Sequence, residues 1–431
     1  METLKQATAR SWSSEEITQT YLEFFRARGH LEIPGSPLVV PENTTSFVIA
    51  GMQPLMPYLR GEKTSPAPWL TDWQRCLRTD DAEAVGTNGR KLTSFHMLGN
   101  WSIGDYGRRE AIALALELLD IFGLNRDTLW VTTFAGDAGR NLAPDEQAVR
   151  LWREAGQRQG RIVPLGLDDN FWTTGGPGPC GPCSELFVDR GEALGCGRTD
   201  CRPGCACERF LEIWNLVFIE FEEHADGSYT PLPLRSVDTG MGLERFAAVA
   251  QGVPTAFDTD LFRLASARLL ELAGLERVDG ARERARRVIV DHTRAALFAM
   301  LAGAQPGRDG RGSVVRRLIR RAARQGRVLG LERPFLGELV EPLVEAHRPW
   351  VTPGELARVP EVARTLAEEE AQFGRVLSAG LRYLARVDPD ASGQVPGERL
   401  FVLHAERGFP ADLAAEVLAD RGLSVDWSSY E

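Results

Sequence analysis

Lysine is nearly missing from this sequence. Of the 50 basic residues only Lys5, Lys63 and Lys91 are lysine, and the other 47 are arginine. With Ala and Gly abundant, the skew reads as a compositional bias, so a lone arginine says little and a cluster says more. Long apolar runs are lacking too: no stretch reaches the ~18 uninterrupted apolar residues of a membrane span. Met1–Lys5 carries no basic-then-apolar leader pattern. A soluble, cytoplasmic protein without a membrane partner is expected. Seven cysteines are too few for a disulfide scaffold, and a 43% apolar composition is too rich for a disordered chain. Repeats and low-complexity segments are also lacking. The 431 residues allow two or three domains. The formal charge of −10 argues, at first sight, against a nucleic-acid partner.

The distribution of that charge argues the other way. Residues 282–327 hold 13 Arg against Glu283, Asp291 and Asp309, a net of +10 that leaves −20 for the rest. Val314, Val315, Leu318, Ile319 and Ala322 form a helical apolar stripe, and Arg316, Arg317, Arg320, Arg321 and Arg324 fill the other face. Most charge runs are solvated helix faces. Here acids to pair with are scarce nearby, which favours a nucleic-acid or phosphate surface.

Periodicity and punctuation give a coarse plan. Ser13 and Glu16 are spaced as a capping box ahead of a helix that ends at Gly29. Residues 31–60 read as loops with short strands. Arg108–Phe122 reads as a buried helix, Leu129–Phe134 as a strand and Asp145–Ala155 as an amphipathic helix. Phe210–Glu222 reads as a core strand, and Ser236–Arg245 as a strand turning through glycines into a helix. Beyond about residue 250 the patterns are helical, with one short strand near Leu400–Leu403. The expected fold is α+β, with a first domain over 1–250 and an all-helical domain over 251–431.

Three segments carry groups suited to activating a carboxylic acid as an adenylate. That chemistry needs a cation at the α-phosphate, a surface for adenine, an anion for an ammonium and Mg²⁺ to spread phosphate charge. Gln74–Arg78 and Ser94–Ser102 read as strand, loop and strand, with an Arg at one edge and an aromatic at the other. Asp169–Trp172 leads to Gly175–Glu185, whose GPCGPC is either a structural turn or half a metal site. Asp238–Arg245 combines glycines that admit close backbone approach with an Arg at a helix start.

Taken in this order, FFRARGH, AGMQP, QRCLR, MLGNWSIGDY, DNFW, GPCGPCSELF, EIWNLVF and VDTGMGLERF closely resemble the catalytic domain of the alanyl-tRNA synthetase family. VIVDHTRA and RGSVVRRLIRRAARQGR resemble its helical domain, so the resemblance covers nearly the whole chain. It implies a class II synthetase antiparallel sheet flanked by helices, with ATP and Mg²⁺ as cosubstrate and metal. By position, Arg78 matches the Arg that holds the α-phosphate, a role suited to a planar, permanently charged fork. Phe95 and Met97 match the adenine platform, with Gly242 beside them, and Arg245 matches the Arg on the other adenine face. Asp238 matches the carboxylate that captures the substrate ammonium. Trp172, Asn215, Val217 and Gly240 correspond to the small amino-acid pocket; for Trp172 and Val217 the bland alternative is core packing. Arg308, Arg311, Arg316, Arg317, Arg320 and Arg321 lie where relatives meet a tRNA acceptor stem.

Cys196, Cys201, Cys205 and Cys207 fall within an insert spanning about 190–208, compact enough to hold structural zinc. Cys180 and Cys183 are alternative ligands. Cys76 and His292 read as packed residues.

Several positions depart from the family pattern. His96 stands where Glu is usual, Ile49 where Asn is usual, and Gly176–Pro177 where Asp-Thr precedes GPCGPC. Relatives read a G·U pair of the acceptor stem through an Asn and an Asp; Arg308 and Ala405 occupy those positions here. The sequence stops where the family's helical domain ends, without editing or dimerising domains. Two readings follow, a fragment or a free-standing monomeric paralogue, and the two altered readers favour the paralogue. The expected function is activation of alanine or a similar small amino acid with transfer to tRNA. The alternatives are transfer to a carrier protein, peptide or small molecule, and an inactive RNA-binding module.

Overall fold

The computed structural model describes residues 8, 10–39, 47–390 and 393–430, with 406 and 407 by backbone alone. Two compact units divide at Met1–Arg263 and Leu264–Glu431. Lys5 and residues 40–46 of the Pro-rich stretch lie outside the described residues.

The first unit contains, in chain order, α1 (Ser14–Arg26), β1 (Leu31–Glu32), α2 (Met56–Leu59), β2 (Trp69–Leu77), β3 (Ser94–Ile103) and α3 (Arg108–Ile121). Then come β4 (Leu129–Phe134), α4 (Glu146–Glu154), β5 (Ile162–Leu165), α5 (Leu167–Asn170), β6 (Phe171–Trp172), β7 (Gly178–Asp189), β8 (Phe210–Glu223), β9 (Tyr229–Gly242) and α6 (Leu243–Ala250). α7 (Asp260–Ala273) runs across the division. Capping dictates where α1 starts: Ser13 accepts from the Glu16 backbone N–H, and the Glu16 carboxylate accepts from Ser13. Its apolar face, Ile17, Tyr21, Phe24 and Phe25, is buried.

A nine-stranded sheet runs β1-β2-β3-β9-β8-β7-β4-β5, with β6 on β7. Its centre is antiparallel, as the resemblance implies, while both margins, β1·β2 and β4·β5, are parallel. GPCGPC is neither a turn nor half a metal site. It begins β7, with Cys180 and Cys183 buried between neighbouring strands. Two register shifts in β7·β8, one between Cys180 and Cys183 and one between Leu186 and Phe187, bend this part of the sheet.

The second unit contains α8 (Gly280–Leu301), α9 (Gly310–Val328), α10 (Val340–Ala346), α11 (Pro353–Leu384), β10 (Gln394–Pro396), α12 (Gly397–Arg407), α13 (Ala411–Ala419) and β11 (Ser424–Asp426). The α9 stripe is buried at Val315, Leu318, Ile319 and Ala322. Two expectations need correction. The unit is not all-helical, because β10 and β11 form a parallel pair. Leu400–Leu403 is not a strand but the middle of α12. Leu400 and Leu403 are buried one turn apart, and Gly408, at φ 67°, closes the helix in the left-handed conformation. Among the described residues no helix is long and apolar enough to cross a membrane.

Candidate active site and cysteine knuckle

A cavity of about 1240 Å³ opens in the first unit, and the ten residues matched to the ATP and amino-acid sites all line it. β3, β8 and β9 supply most of them, because period-2 alternation sends every second side chain to one face of the sheet.

At one end Arg78 follows the last residue of β2. Its Nε donates to the Ile49 carbonyl at 2.8 Å, and its guanidinium carbon lies 4.8 Å from the centre of the Phe95 ring. The contact uses a backbone oxygen, so it does not depend on the side chain at position 49. Met97 lies one step along β3 on the same face, and its Sδ accepts from the Gly51 N–H at 3.2 Å. Across the cavity Arg245 rises from the first turn of α6 and donates through Nη1 to Glu212 Oε2 at 2.6 Å. Burial works against the Arg245 charge, but Glu212 and Glu185 more than offset it. Glu185 in turn is pushed well above the carboxylate range, by burial first and Glu212 second, with Arg245 opposing.

Asn215, Val217, Asp238 and Gly240 face one another across β8·β9, pairing Asn215 with Gly240 and Val217 with Asp238. Asn215 donates to Glu185 Oε1 at 3.2 Å. A Cβ on Gly240 would sit 2.7 Å from Met97 Sδ, so glycine here leaves room for the methionine. Val217 serves both readings: it belongs to the core cluster and it lines the cavity. Trp172 lines the cavity from β6 and packs on the same cluster. Asp238 is 7% exposed and accepts from Trp101 Nε1 at 2.6 Å. Burial pushes its carboxyl up to about 7, and the indole hydrogen bond holds it down in part.

The substitution at His96 has a structural counterpart. His96 is buried, its backbone N–H donates to both Glu244 carboxylate oxygens, and its Nδ1 lies 3.1 Å from Glu244 Oε1. This ties β3 to the helix that carries Arg245. Cys76 is buried, and His292 is buried with Nδ1 2.9 Å from Asp291.

Sequence reasoning missed Glu185, Glu212, Trp101 and Arg90, which all serve this site. Glu212 had a concealed signal. Simple alternation places it on the face opposite Asn215, but the shift between Leu186 and Phe187 re-aims this part of β8. Arg90 lines the cavity, donates to Ala206 O at 3.4 Å and accepts from Arg245 Nε at 3.5 Å through its own carbonyl.

Ala206 lies inside the cysteine insert. The thiols of Cys196, Cys201, Cys205 and Cys207 all fall within 4.8 Å of one another, with 3.4 Å between Cys196 and Cys205 and 3.6 Å between Cys201 and Cys207. A tetrahedral zinc thiolate with bonds of about 2.3 Å requires sulfurs about 3.8 Å apart. The Arg198 backbone N–H, followed by the Cys205 thiol, brings Cys196 down to about 7. Cys180 and Cys183 are not part of this group. Both thiols are buried in β7, and burial pushes Cys180 up to about 12 and Cys183 well above its ordinary value.

The arginines of α9 and the loop before it do not form one uniform surface. Arg316 and Arg320 both donate to Glu369, at 2.9 and 3.0 Å, and Arg321 pairs with Glu416 at 2.6 Å. Arg308 and Arg317 are exposed. Arg311 is half-buried.

The family described as tRNA synthetases class II (A) matches residues 16–431. The alanine–tRNA ligase of Pelotomaculum thermopropionicum is 44% identical over 427 residues, covering 97% of this chain and 47% of the ligase. That of Caldicellulosiruptor saccharolyticus is 40% identical over 429 residues, with 97% and 47% covered. The chain thus spans about half the length of the curated relatives it matches. Among solved structures, Staphylococcus aureus apo histidyl-tRNA synthetase is 11% identical, with a TM-score of 0.35 over 59% of this chain and 75% of that one. The profile match along almost the entire sequence, on a sheet that gathers the motif residues around one cavity, makes this chain a member of the class II tRNA synthetase (A) family.

Proposed function

We propose that the first unit activates alanine with ATP and that the second presents a tRNA acceptor end to it, in the cytoplasm. The observation that carries this reading is the arrangement of Asp238: a nearly buried carboxylate lining the same cavity as Arg78, Phe95 and Arg245. In this reading Asp238 holds the substrate ammonium, and Val217, Gly240 and Trp172 leave space for a small side chain. Phe95 and Arg245 sandwich adenine. The amino-acid carboxylate attacks the α-phosphorus, the bond to the bridging oxygen breaks, and pyrophosphate leaves with that electron pair. Arg78 stabilises the charge gathering on the α-phosphate oxygens. Mg²⁺ bound with ATP would spread the phosphate charge. Glu185 and Glu212 suit it as oxygen donors, since their mutual repulsion is relieved by an added cation. In the second step a ribose hydroxyl of the tRNA end attacks the acyl carbon and AMP departs.

Alanine discrimination rests on shape, and one methylene is worth only ~1–3 kcal/mol. Pyrophosphate exchange measured with each of the twenty amino acids is therefore the first test. Exchange with alanine supports the reading and no exchange with any amino acid refutes it. Asp238→Ala is expected to abolish exchange, and near-normal exchange in that variant would overturn the role given to Asp238. Charging of a tRNA(Ala) transcript tests the acceptor. A second reading, activation for a different acceptor, is favoured by Arg308 and Ala405, both exposed at the positions where relatives read the acceptor stem. Exchange without charging would select it.

The four-cysteine knuckle is proposed as a structural zinc site, because its sulfurs already surround one point without a disulfide. Bound zinc would fix the insert that carries Ala206, the partner of Arg90.

A further inference from the structure

Trp101 is a fully buried side chain next to the proposed ammonium site, and the reaction as described above does not use it. Its indole is fully buried and lies along β3 directly over Gly99, where a Cβ would come within 2.1 Å of its Cη2. On the other side a Cβ on Gly51 would lie 3.4 Å from Cζ2. Met52, Leu55 and Leu70 complete its surroundings in the core cluster. Held this way, the ring has one polar atom to satisfy, and Nε1 meets Asp238 Oδ1 at 2.6 Å across β3·β9. Trp12, Trp152 and Trp214 instead donate to a carbonyl or a hydroxyl.

We propose that Trp101 is a positioning residue that fixes the Asp238 carboxylate and keeps it ionised for the substrate ammonium. The proposal rests on the reading of Asp238 as the ammonium-binding group. A nearly buried carboxylate with a single strong donor depends on that donor for its charge. The titratable groups around it do not replace the donor. Asp72 on β2 is buried and pushed well above the carboxylate range, by burial first and by Asp238 next. Tyr21 on α1 is a buried phenol also pushed up by burial. Glu244 on α6 is engaged by His96, and Glu185 and Glu212 are turned to Arg245.

The test is Trp101→Phe, which keeps an aromatic ring and removes the N–H. In wild-type protein kcat/KM for alanine in pyrophosphate exchange should rise with pH through about 7 as Asp238 ionises. In the variant this limb should move up by about one pH unit, with the alanine KM about fivefold higher at pH 7. At pH 9 the two proteins should converge, with kcat and the ATP KM within about twofold throughout. An alanine KM raised by the same factor at pH 7 and pH 9, or an ATP KM that rises with it, would mean packing alone and would overturn the proposal. Should the variant fail to fold, wild-type protein labelled with ¹⁵N at its tryptophan indoles carries the test. One indole N–H resonance should titrate near pH 7 and cease to do so when a sulfamoyl analogue of alanyl-adenylate is bound. No such titration in the free protein refutes the inference. Absence of exchange with any amino acid, by contrast, refutes the activation reading and leaves the indole titration to be judged by itself.

Discussion

Arg245→Ala removes a cation from between two carboxylates, and its cost can be worked from the site. The Arg245–Glu212 contact is 2.6 Å between N and O. Charge centres about 4 Å apart at an effective dielectric of 20 interact by about 4 kcal/mol. The side chains are 25% and 32% exposed, so solvent screens much of this, leaving ~1–2 kcal/mol. Removing Arg245 also leaves Glu185 and Glu212 facing each other without compensation. A double-mutant cycle with Glu212→Gln, followed by thermal unfolding, isolates the effect. Each single variant should be destabilised, and the double variant by about 1–2 kcal/mol less than the sum of the two. In a unit of this size that coupling corresponds to a few degrees in Tm, at about 2–4 °C per kcal/mol. Both variants lacking Arg245 should in addition show an ATP KM raised about threefold to thirtyfold, the worth of a cation on an aromatic face. Additivity within about 0.3 kcal/mol would refute the charge argument, because neighbours that share no interaction behave that way.

Three further outcomes follow from features of the same molecule. Asp238→Asn should raise Tm at pH 8 while abolishing exchange. With its folded-state value raised to about 7, Asp238 keeps a proton that the unfolded chain releases near pH 4, so wild-type stability drops as pH rises between those values and the amide escapes that loss; an unchanged pH–Tm profile in the variant would count against this. Elemental analysis of protein purified without chelator should find one zinc per chain, lost in Cys205→Ala and on thiol titration with a mercurial. Protein of full activity with no bound zinc would remove the metal proposal. Exposed Arg317 and Glu369-paired Arg320 should separate in a tRNA-binding assay: Arg317→Ala weakens binding and lowers its salt slope by about 1, whereas Arg320→Ala mainly lowers Tm. Equal effects on binding would indicate that the ion pair opens to RNA.

The elements around the site were legible because each has a clear period and punctuation: Leu129–Phe134 is a strand as read, and Phe210–Glu223 extends the reading by one residue. The motif residues are legible by resemblance, and the sheet gathers them around one cavity. What escaped is what registers and ion pairs decide. Glu212 reaches Arg245 through a bulge that period-2 counting cannot anticipate. Arg316, Arg320 and Arg321 looked unpaired because the acids that meet them, Glu369 and Glu416, lie far along the chain. Three-residue strands such as β10 and β11 have no periodicity to detect, since each exists through the other.

The placement of β9 has a consequence for synthesis. It inserts between β3 and β8, so Trp101 waits for a partner 137 residues later in the chain. Until that segment leaves the ribosome, β3 presents an unpaired edge and the Trp101 indole lacks the Asp238 carboxylate it donates to. Such non-local pairing is slow and exposes aggregation-prone edges. A nascent chain arrested before residue 236 should therefore hold a chaperone and remain protease-sensitive through β3, and one arrested well beyond α6, with that helix clear of the exit tunnel, should resist digestion. The last strand to arrive is also the one that bears Asp238, which makes completion of the sheet and completion of the site a single event.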